Sequence, residues 1–293
     1  MRIANWLTCC AALVSVALAM ADPSAADDPP ANRAADSDLT VVSFNILVDF
    51  ASEPGIPRWP DRRDLCAQVL KESGAQLIGL QEPSPGQIKW LTEQLPAYEA
   101  VFYRRSPTDK GYPDAVLLYL RERFAEKERG HWWLSPTPEK VSTGFGNVLP
   151  RLVVWARLQD KIADKELLVF NTHFDNSLPS QVKMAELCSQ QFEKFASAGL
   201  PMLFLGDFNT DQKRGDYAKL TSDGWRDSYT VSDQASDDGR DDRVATHLRG
   251  TRIDHIFYHG DALAPVAWQR LESPDSERPL SDHFPILARF QWK

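Results

Sequence analysis

The sequence predicts an α/β protein in which two sheets form opposite walls of one cleft, and three observations support this. Predicted strands and helices alternate, polar residues stand at strand ends, and the two halves share one layout. Strand, polar residue, helix, strand and carboxylate follow each other around Asn45 and Glu82, and again around His173 and Asp207. Buried strands favour Val, Ile, Leu and Phe, so metal-binding or proton-transferring residues at their ends need a functional reason. A cleft on the rims of sheets supplies one, and the pattern predicts an enzyme.

The first half is predicted to contain a strand over 39–45, a helix over 61–73, a strand over 76–80 and a helix over 84–95. Asp61 is the expected N-cap of the first helix, and Gly74 is its stop signal. The second helix is expected to begin with a capping box formed by Ser84 and Gln87, with proline at its first position.

The rest of the chain is predicted to contain strands over 115–120, 152–158 and 167–171, a helix over 177–199, and strands over 202–205, 253–258 and 284–292. An aromatic, proline-rich segment over 131–150 is expected to be a loop. The long helix places Leu187 and Phe192 mostly on one face, as packing against a sheet requires.

The amino terminus is predicted to be a secretory signal peptide over residues 1–21. Arg2 supplies the positive charge, an apolar run follows over 6–19, and Ala-Met-Ala at 19–21 fits a cleavage site. The alternative is a signal anchor that stays in the membrane. It is disfavoured because the apolar run is short and Asp22 follows at once. The expected location is therefore secreted or periplasmic.

The mature chain is expected to consist of a flexible leader over 22–37 and one catalytic domain over 38–293. Loss of Arg2 changes the formal net charge from -8 to -9. An acidic protein does not favour nucleic acid as a partner, although bound cations reverse the charge locally. With no second apolar stretch long enough to span a bilayer, no membrane insertion after cleavage is expected. The protein is also expected to be a monomer.

Six short segments carry the chemistry: S-F-N at 43–45, L-Q-E at 80–82, T-H-F-D at 172–175, G-D-F-N at 206–209, R-I-D-H at 252–255 and S-D-H at 281–283. Each segment alone has a structural explanation, but all six together favour an active site. Their order and wording closely resemble the endonuclease/exonuclease/phosphatase superfamily, over 41–290. The resemblance implies a four-layer α/β/β/α sandwich, with two mixed sheets flanking one cleft. It also implies a metal-dependent hydrolase that cleaves phosphodiesters or phosphomonoesters by in-line attack of an activated water.

The resemblance also implies the residues of the site. The metal ligands would be Asn45, Glu82 and Asp282, and this oxygen set suits Mg²⁺, with Mn²⁺ or Ca²⁺ as substitutes. The catalytic residues would be His173, Asp207, Asn209, Asp254 and His283. Substrate would be bound by Arg151 and Asp175.

Within the catalytic set, Asp207 resembles the carboxylate that orients or deprotonates the attacking water, and Asn209 would hold a phosphate oxygen. His283 would face the scissile phosphate, with Asp254 or Asp282 fixing its tautomer. His173 would stabilise charge or protonate the leaving oxygen. The sequence leaves open whether Asp207 or His283 is the general base.

Two alternatives compete with a small-substrate phosphoesterase. A family-shaped binding protein without catalysis is disfavoured because the acidic and histidine residues are retained together. A nonspecific nuclease is compatible with the motifs but not favoured by the charge. Leu47 stands where the abasic-site endonuclease branch carries a second acidic ligand, which weakens a DNA-repair role.

Two further expectations concern residues outside the motifs. Arg62, near Trp59, is expected in a phosphate-facing patch or at a solvated helix start. Cys66 and Cys188 lie in corresponding helices of the two halves, which would cover opposite faces of the sandwich. A disulfide needs Cα atoms within about 7 Å, whereas two stacked sheets alone are about 10 Å apart. Both thiols are therefore predicted to be buried and unpaired.

Overall fold

The computed structural model describes residues 38–105, 113–231 and 244–293. The predicted signal peptide and leader lie outside the described residues. Within these three ranges, the helices are too short or too polar to cross a membrane.

The first sheet has six strands in the order β11-β12-β1-β2-β4-β3. The bounds are β1 (Leu39–Asn45), β2 (Leu77–Gln81), β3 (Tyr98–Phe102), β4 (Ala115–Leu120), β11 (Leu263–Arg270) and β12 (Ile286–Trp292). Strands β1 and β2 are parallel, while the other neighbours are antiparallel, so the sheet is mixed.

The second sheet also has six strands, in the order β5-β6-β7-β8-β10-β9. The bounds are β5 (Phe124–Trp133), β6 (Leu152–Asp160), β7 (Lys165–His173), β8 (Met202–Asp207), β9 (Trp225–Asp227) and β10 (Asp254–His259). Strands β7 and β8 are parallel and the remaining neighbours are antiparallel. Each sheet therefore has one parallel pair, and both pairs end at the cleft.

Helices cover the outer face of each sheet. They are α1 (Trp59–Glu72), α2 (Pro85–Gln94), α3 (Leu178–Ala196), α4 (Gly215–Leu220) and the short α5 (Ser228–Val231). One apolar core joins α1 and α2 to the first sheet, and another joins α3 and α4 to the second. A third core lies between the sheets. The predicted four-layer α/β/β/α sandwich is confirmed.

A buried polar bridge joins the sheets next to the cleft. Gln81 at the end of β2 donates from Nε2 to Asn171 Oδ1 at 2.7 Å. Asn171 in β7 donates from Nδ2 to the carbonyls of Leu80 and Val116, at 3.0 and 2.8 Å. A Cβ at Gly79 would lie 2.6 Å from Asn171 Oδ1, so only glycine admits this bridge. The bridge holds the two walls of the cleft at a fixed separation.

One of the two predicted helix starts is confirmed, and the other is wrong. The capping box of α2 is present, with Gln87 N donating to Ser84 Oγ and Ser84 N donating to Gln87 Oε1. The predicted N-cap of α1 is wrong, because the helix begins at Trp59 and Arg58 takes the cap position without a side-chain hydrogen bond. Proline in the first turn lacks an N–H that would need a partner, and this permits an earlier start.

Four strands were not predicted: β3, β5, β9 and β11. Strand β5 is an edge strand with a mostly half-exposed, charged sequence and a register shift between Glu126 and Glu128, so it lacks a regular apolar alternation. Its last residues, Trp132 and Trp133, are buried although a loop was predicted from residue 131.

The prediction for the two mature cysteines is confirmed. Cys66 in α1 and Cys188 in α3 are buried free thiols in the two outer apolar cores. The Cys66 thiol faces the carbonyl oxygen of Leu280 at 3.4 Å.

Candidate active site

The candidate site forms where strands of both sheets end. Asn45 ends β1, His173 ends β7 and Asp207 ends β8, while Glu82 directly follows β2. Carboxyl ends of parallel neighbours meet at one edge, so each parallel pair delivers two side chains to the cleft. Strand β10 runs antiparallel to β8 and begins with Asp254 opposite Asp207.

Asp207 lies at the centre of the site. Its Oδ2 accepts a hydrogen bond from Asn45 Nδ2 at 2.9 Å, and its Oδ1 accepts one from the backbone N–H of Asn209 at 2.9 Å. The Nε2 atoms of His173 and His283 approach Oδ2 at 3.5 and 3.6 Å. Burial alone would raise the pKa of Asp207, but the positive charges of the two histidines and the Asn45 hydrogen bond outweigh it and lower that pKa.

His283 is held between two carboxylates. Its Nδ1 lies 2.9 Å from Asp254 Oδ2, so its Nε2 faces Asp207. Burial opposes the charged imidazolium, but the negative charges of Asp254 and Asp207 prevail and raise the pKa of His283 to about 10. Burial and the charge of Asp207 also raise the pKa of Asp254. His283 is therefore a cation at neutral pH, arranged to donate from Nε2.

His173 is held by a buried charge cluster that the sequence did not predict. His173 Nδ1 lies 3.2 Å from Asp114 Oδ1 and 2.8 Å from Arg151 Nη1. Both contacts engage Nδ1, so Nε2 is the atom that faces Asp207. Arg151 Nη1 also donates to both oxygens of Asp114, and Arg105 pairs with Oδ1 of the same carboxylate at 2.9 Å.

Asp114 is the centre of this charge cluster. Burial would raise the pKa of Asp114, but Arg151, His173 and Arg105 together hold it well below the usual range. Two guanidinium groups around one carboxylate leave net positive charge beside His173, which suits an anion in the cleft. A signal was available in the sequence, since Asp114 directly precedes the predicted strand 115–120.

Glu82 is the open carboxylate of the site. Its side chain is 24% exposed, and its oxygens accept long hydrogen bonds of 3.3 Å from Asn45 Nδ2 and Val48 N. Its backbone has φ 62°, a left-handed conformation that is uncommon for a non-glycine residue. Strain of this kind concentrates at functional sites.

Asn45 turns its amide nitrogen toward the carboxylates. Its Oδ1 accepts from the Leu47 backbone N–H at 3.1 Å, which fixes the amide with Nδ2 between Glu82 and Asp207. A metal ligand would present the amide oxygen instead. These contacts favour a positioning role for Asn45 over the predicted role as a metal ligand.

The remaining predicted residues occupy different surroundings. Asn209 lies in the cleft, where its Nδ2 donates to Phe174 O at 3.0 Å and lies 3.4 Å from His173 Nε2. Asp175 is buried, and its Oδ1 accepts from the backbone N–H and hydroxyl of Ser177 just before α3. The contacts of Asp175 are thus structural, and those of Arg151 are directed at Asp114 and His173.

Asp282 stands beside a histidine that the sequence analysis did not single out. Its Oδ2 lies 3.8 Å from His247 Nε2, and the His247 ring packs edge-on against His283 at 4.6 Å. His247 Nδ1 accepts from the Arg249 backbone N–H, which leaves Nε2 directed at Asp282. An isolated histidine in a polar segment carries no periodic signal, so only the fold reveals this neighbour.

Arg62 is a buried residue that binds the backbone of two loops of the site. It lies neither in a phosphate-facing patch nor at a solvated helix start, so both predicted roles are wrong. It is buried and donates to the carbonyls of Ile46, Leu47 and Leu280 at 2.6–2.7 Å. These carbonyls belong to the segments that carry Asn45 and Asp282. Arg62 therefore joins two loops of the site through hydrogen bonds to their carbonyls.

The carboxylates of the site are of the kind that binds a hard divalent cation. Glu82 offers two oxygens with only long hydrogen bonds and access to solvent, and Asp282 offers a second half-buried carboxylate. Potential ligand atoms of Asp207, Asp254 and His283 also lie within 4.8 Å of one another. Carboxylate oxygens are the ligands that Mg²⁺ prefers.

A cleft between two mixed sheets, lined by carboxylates, amides and oriented histidines, defines a hydrolytic enzyme fold. Residues 42–283 match the Endonuclease/Exonuclease/phosphatase family, and the chain belongs to that family. Members of this family act on phosphate esters.

Individual relatives extend the comparison. The mannosyl-6-phosphatase of Bacteroides thetaiotaomicron is 30% identical, with a TM-score of 0.75 over 87% of this chain and 100% of that chain. A family protein from Bacteroides vulgatus is 24% identical, with a TM-score of 0.77 over 87% of this chain and 99% of that one. An uncharacterized protein of Acanthamoeba polyphaga mimivirus is 23% identical in an alignment of 272 positions that covers 86% of this chain and 100% of the viral protein.

Proposed function

We propose that the protein is a secreted, divalent-metal-dependent phosphoesterase that hydrolyses small phosphate esters, with sugar phosphomonoesters as the first candidates. The observation that carries the proposal is the contact of one buried carboxylate, Asp207, with the Nε2 atoms of two separately held histidines. Similarity to a mannosyl-6-phosphatase supports a sugar phosphate as substrate.

The reaction is an in-line displacement at phosphorus. Asp207 accepts a hydrogen bond from the attacking water and orients it, because Asn45 and Asn209 hold the carboxylate in place. As the water oxygen bonds to phosphorus and the ester P–O bond breaks, one water proton passes to Asp207 and the leaving oxygen takes up a proton, so the products are an alcohol and phosphate. Glu82 and Asp282 would hold a divalent cation, which would supply positive charge that stabilises the phosphoryl oxygens.

The two histidines have separate tasks. His283, a cation held by Asp254, donates from Nε2 to a phosphoryl oxygen and stabilises developing charge. His173 faces the cleft with Nε2, where it stabilises or protonates the leaving oxygen. This division makes Asp207, rather than His283, the group that handles the water.

Two alternative functions are less well supported by the structure and the sequence. A nonspecific nuclease would need to attract a polyanion, whereas the chain has a formal net charge of -8. A binding protein without catalysis would have no need for two oriented histidines facing one carboxylate.

The deciding experiment is hydrolysis by the purified protein. Its substrates would be p-nitrophenyl phosphate, bis(p-nitrophenyl) phosphate, hexose phosphates, plasmid DNA and RNA, each with Mg²⁺, Mn²⁺, Ca²⁺ or EDTA. We expect metal-dependent release of phosphate from small esters that EDTA abolishes. Hydrolysis of none of them with any metal would favour the binding protein, and preference for DNA or RNA would favour the nuclease. Mass spectrometry of the exported protein should find Asp22 at its amino terminus.

A further inference from the structure

A second cavity adjoins the candidate active site. It has a volume of about 370 Å³, and the His283 side chain forms part of its wall. The segment 271–285 forms most of the cavity, and Leu248, in the turn after His247, closes one side. We call this cavity the side pocket. A group that occupies it therefore lies next to the histidine that faces Asp207.

Hydrogen bonds between its two walls give the side pocket a fixed shape. Leu248 N donates to Asp282 O at 2.9 Å, and Phe284 N donates to Thr246 O at 2.7 Å. At its far end, Arg270 donates to the Ala245 carbonyl at 3.0 Å. Preformed pockets of this kind bind ligands without a large ordering cost.

The polar atoms of the side pocket suit hydroxyl groups. Glu272 Oε1 accepts from Arg270 Nε and Nη2 at 2.8 and 2.6 Å, which anchors the carboxylate. Both donors engage the same oxygen of this exposed carboxylate, and Oε2 can accept from a ligand hydroxyl. Ser273, Ser276 and Ser281 line the same space, and the hydroxyls of Ser273 and Ser281 already donate to Arg278 O and Asp282 Oδ1, at 2.7 and 3.1 Å.

Apart from Glu272, the three serines and His283, the lining is apolar. Leu248 and Phe284 contribute large apolar surfaces, and prolines contribute most of the remainder. Among the described residues that line the side pocket, there is no lysine or arginine. Apart from His283 next to the active site, a second phosphate would find no cationic side chain in this lining, whereas the carbon skeleton of a neutral polyol would find apolar contact.

We infer that the side pocket binds the sugar of a hexose phosphate, so that its phosphate lies at His283 and Asp207. This inference rests on the proposed function and specifies where its leaving group is recognised. Glu272 Oε2 is a specificity-determining acceptor for sugar hydroxyls. A substrate without a sugar, such as p-nitrophenyl phosphate, uses the phosphate site alone.

Two variants test the inference. Ser276→Trp fills the side pocket, and Glu272→Gln removes the anchored negative charge. The matched controls are Ser197→Trp, at the far end of the 19-residue α3, and Glu277→Gln, on the exposed part of the same loop. We expect each pocket variant to raise KM for mannose 6-phosphate or glucose 6-phosphate at least about tenfold, because a charge-assisted hydrogen bond or the whole contact is lost. Hydrolysis of p-nitrophenyl phosphate should change less than about twofold, and the controls should match the wild type.

A binding measurement separates this inference from the proposed function. Calorimetry with the inactive Asp207→Asn variant and mannose 6-phosphate should give binding that Ser276→Trp weakens at least about tenfold. If esters are hydrolysed but the pocket variants keep the wild-type KM for hexose phosphates, the side pocket is not the sugar site. The proposed function would then still hold. If no ester is hydrolysed, yet Ser276→Trp still weakens binding, the sugar site stands and the function is wrong. Equal binding by Asp207→Asn with and without Ser276→Trp would overturn the sugar site in either case.

Discussion

Asn45 Nδ2 donates to Asp207 Oδ2 at 2.9 Å, and this hydrogen bond joins the first sheet to the second at the catalytic edge. The two residues are 162 positions apart, and each ends a strand of its sheet's parallel pair. The same amide approaches Glu82, the open carboxylate. One side chain thus contacts both carboxylates, Asp207 and Glu82, to which the proposed mechanism assigns the attacking water and the metal.

Removal of the Asn45 amide should impair catalysis more than folding. We expect Asn45→Ala to lower kcat about 10- to 100-fold, because a small displacement of Asp207 costs this much at a reaction centre. KM should change much less, since Asn45 acts through Asp207. Steady-state kinetics and circular dichroism provide the measurement. A loss of folded signal in step with activity would show that the hydrogen bond is structural instead.

Glu82 should control metal dependence. Glu82→Gln is expected to lower the rate at least about 100-fold and to raise the Mg²⁺ concentration for half-maximal activity, because a neutral amide is a weaker ligand than a carboxylate. Mg²⁺ should also raise the melting temperature of the wild type but not of the variant. Glu93→Gln, on the exposed side of α2, is the control and should behave as the wild type. A normal Mg²⁺ response of Glu82→Gln would assign the metal to other residues.

A buried ion pair behind the site should govern stability in acid. Asp227 accepts from Arg252 at 2.8 Å and from Tyr217 at 2.9 Å. Burial opposes its ionisation, but Arg252 and His255 lower the pKa of Asp227 below the unfolded value. The contribution to stability is therefore present above about pH 4 and lost as the pH falls below it.

Replacement of Asp227 should reveal this pH dependence of stability. Asp227→Asn should lower the free energy of unfolding at pH 7 by about 3–5 kcal/mol, since it leaves Arg252 buried without its partner. The difference from the wild type should shrink between about pH 4 and 2.5, as followed by urea unfolding. Asp275→Asn breaks an exposed contact with Arg278 and should have little effect at any pH. A constant difference across this pH range would contradict the assignment.

The two thiols should react only after unfolding. Burial raises the pKa of Cys66 to about 12 and also raises the pKa of Cys188, so neither forms the reactive thiolate at neutral pH. In protein that lacks residues 1–21, thiol titration should find two sulfhydryls after denaturation without reductant, and almost none before it. A count of zero that reductant restores to two would demonstrate a disulfide.

The sequence alone determined the parts of the fold that depend on local pattern. Strand β1 was predicted with its observed bounds because residues 39–45 alternate as a strand does and Asn45 stands at its end. Helix α2 was predicted because its capping box is a local hydrogen-bond pattern. Edge strands such as β5 and β11 were missed. Their half-exposed residues and register shifts leave no regular alternation, and neighbouring strands rather than local preference hold them in place.

The site residues also divide into those that the sequence predicted and those that only the structure revealed. The six motifs identified Glu82, His173, Asp207 and His283, because polar residues at the ends of apolar strands can be recognised in the sequence. Only the tertiary structure could show that Asp114 holds His173, that Asn45 presents nitrogen rather than oxygen, and that a pocket opens beside His283. These relationships join residues far apart in the chain through distances of a few ångströms. Such distances depend on how the two sheets pack, which no local sequence pattern specifies.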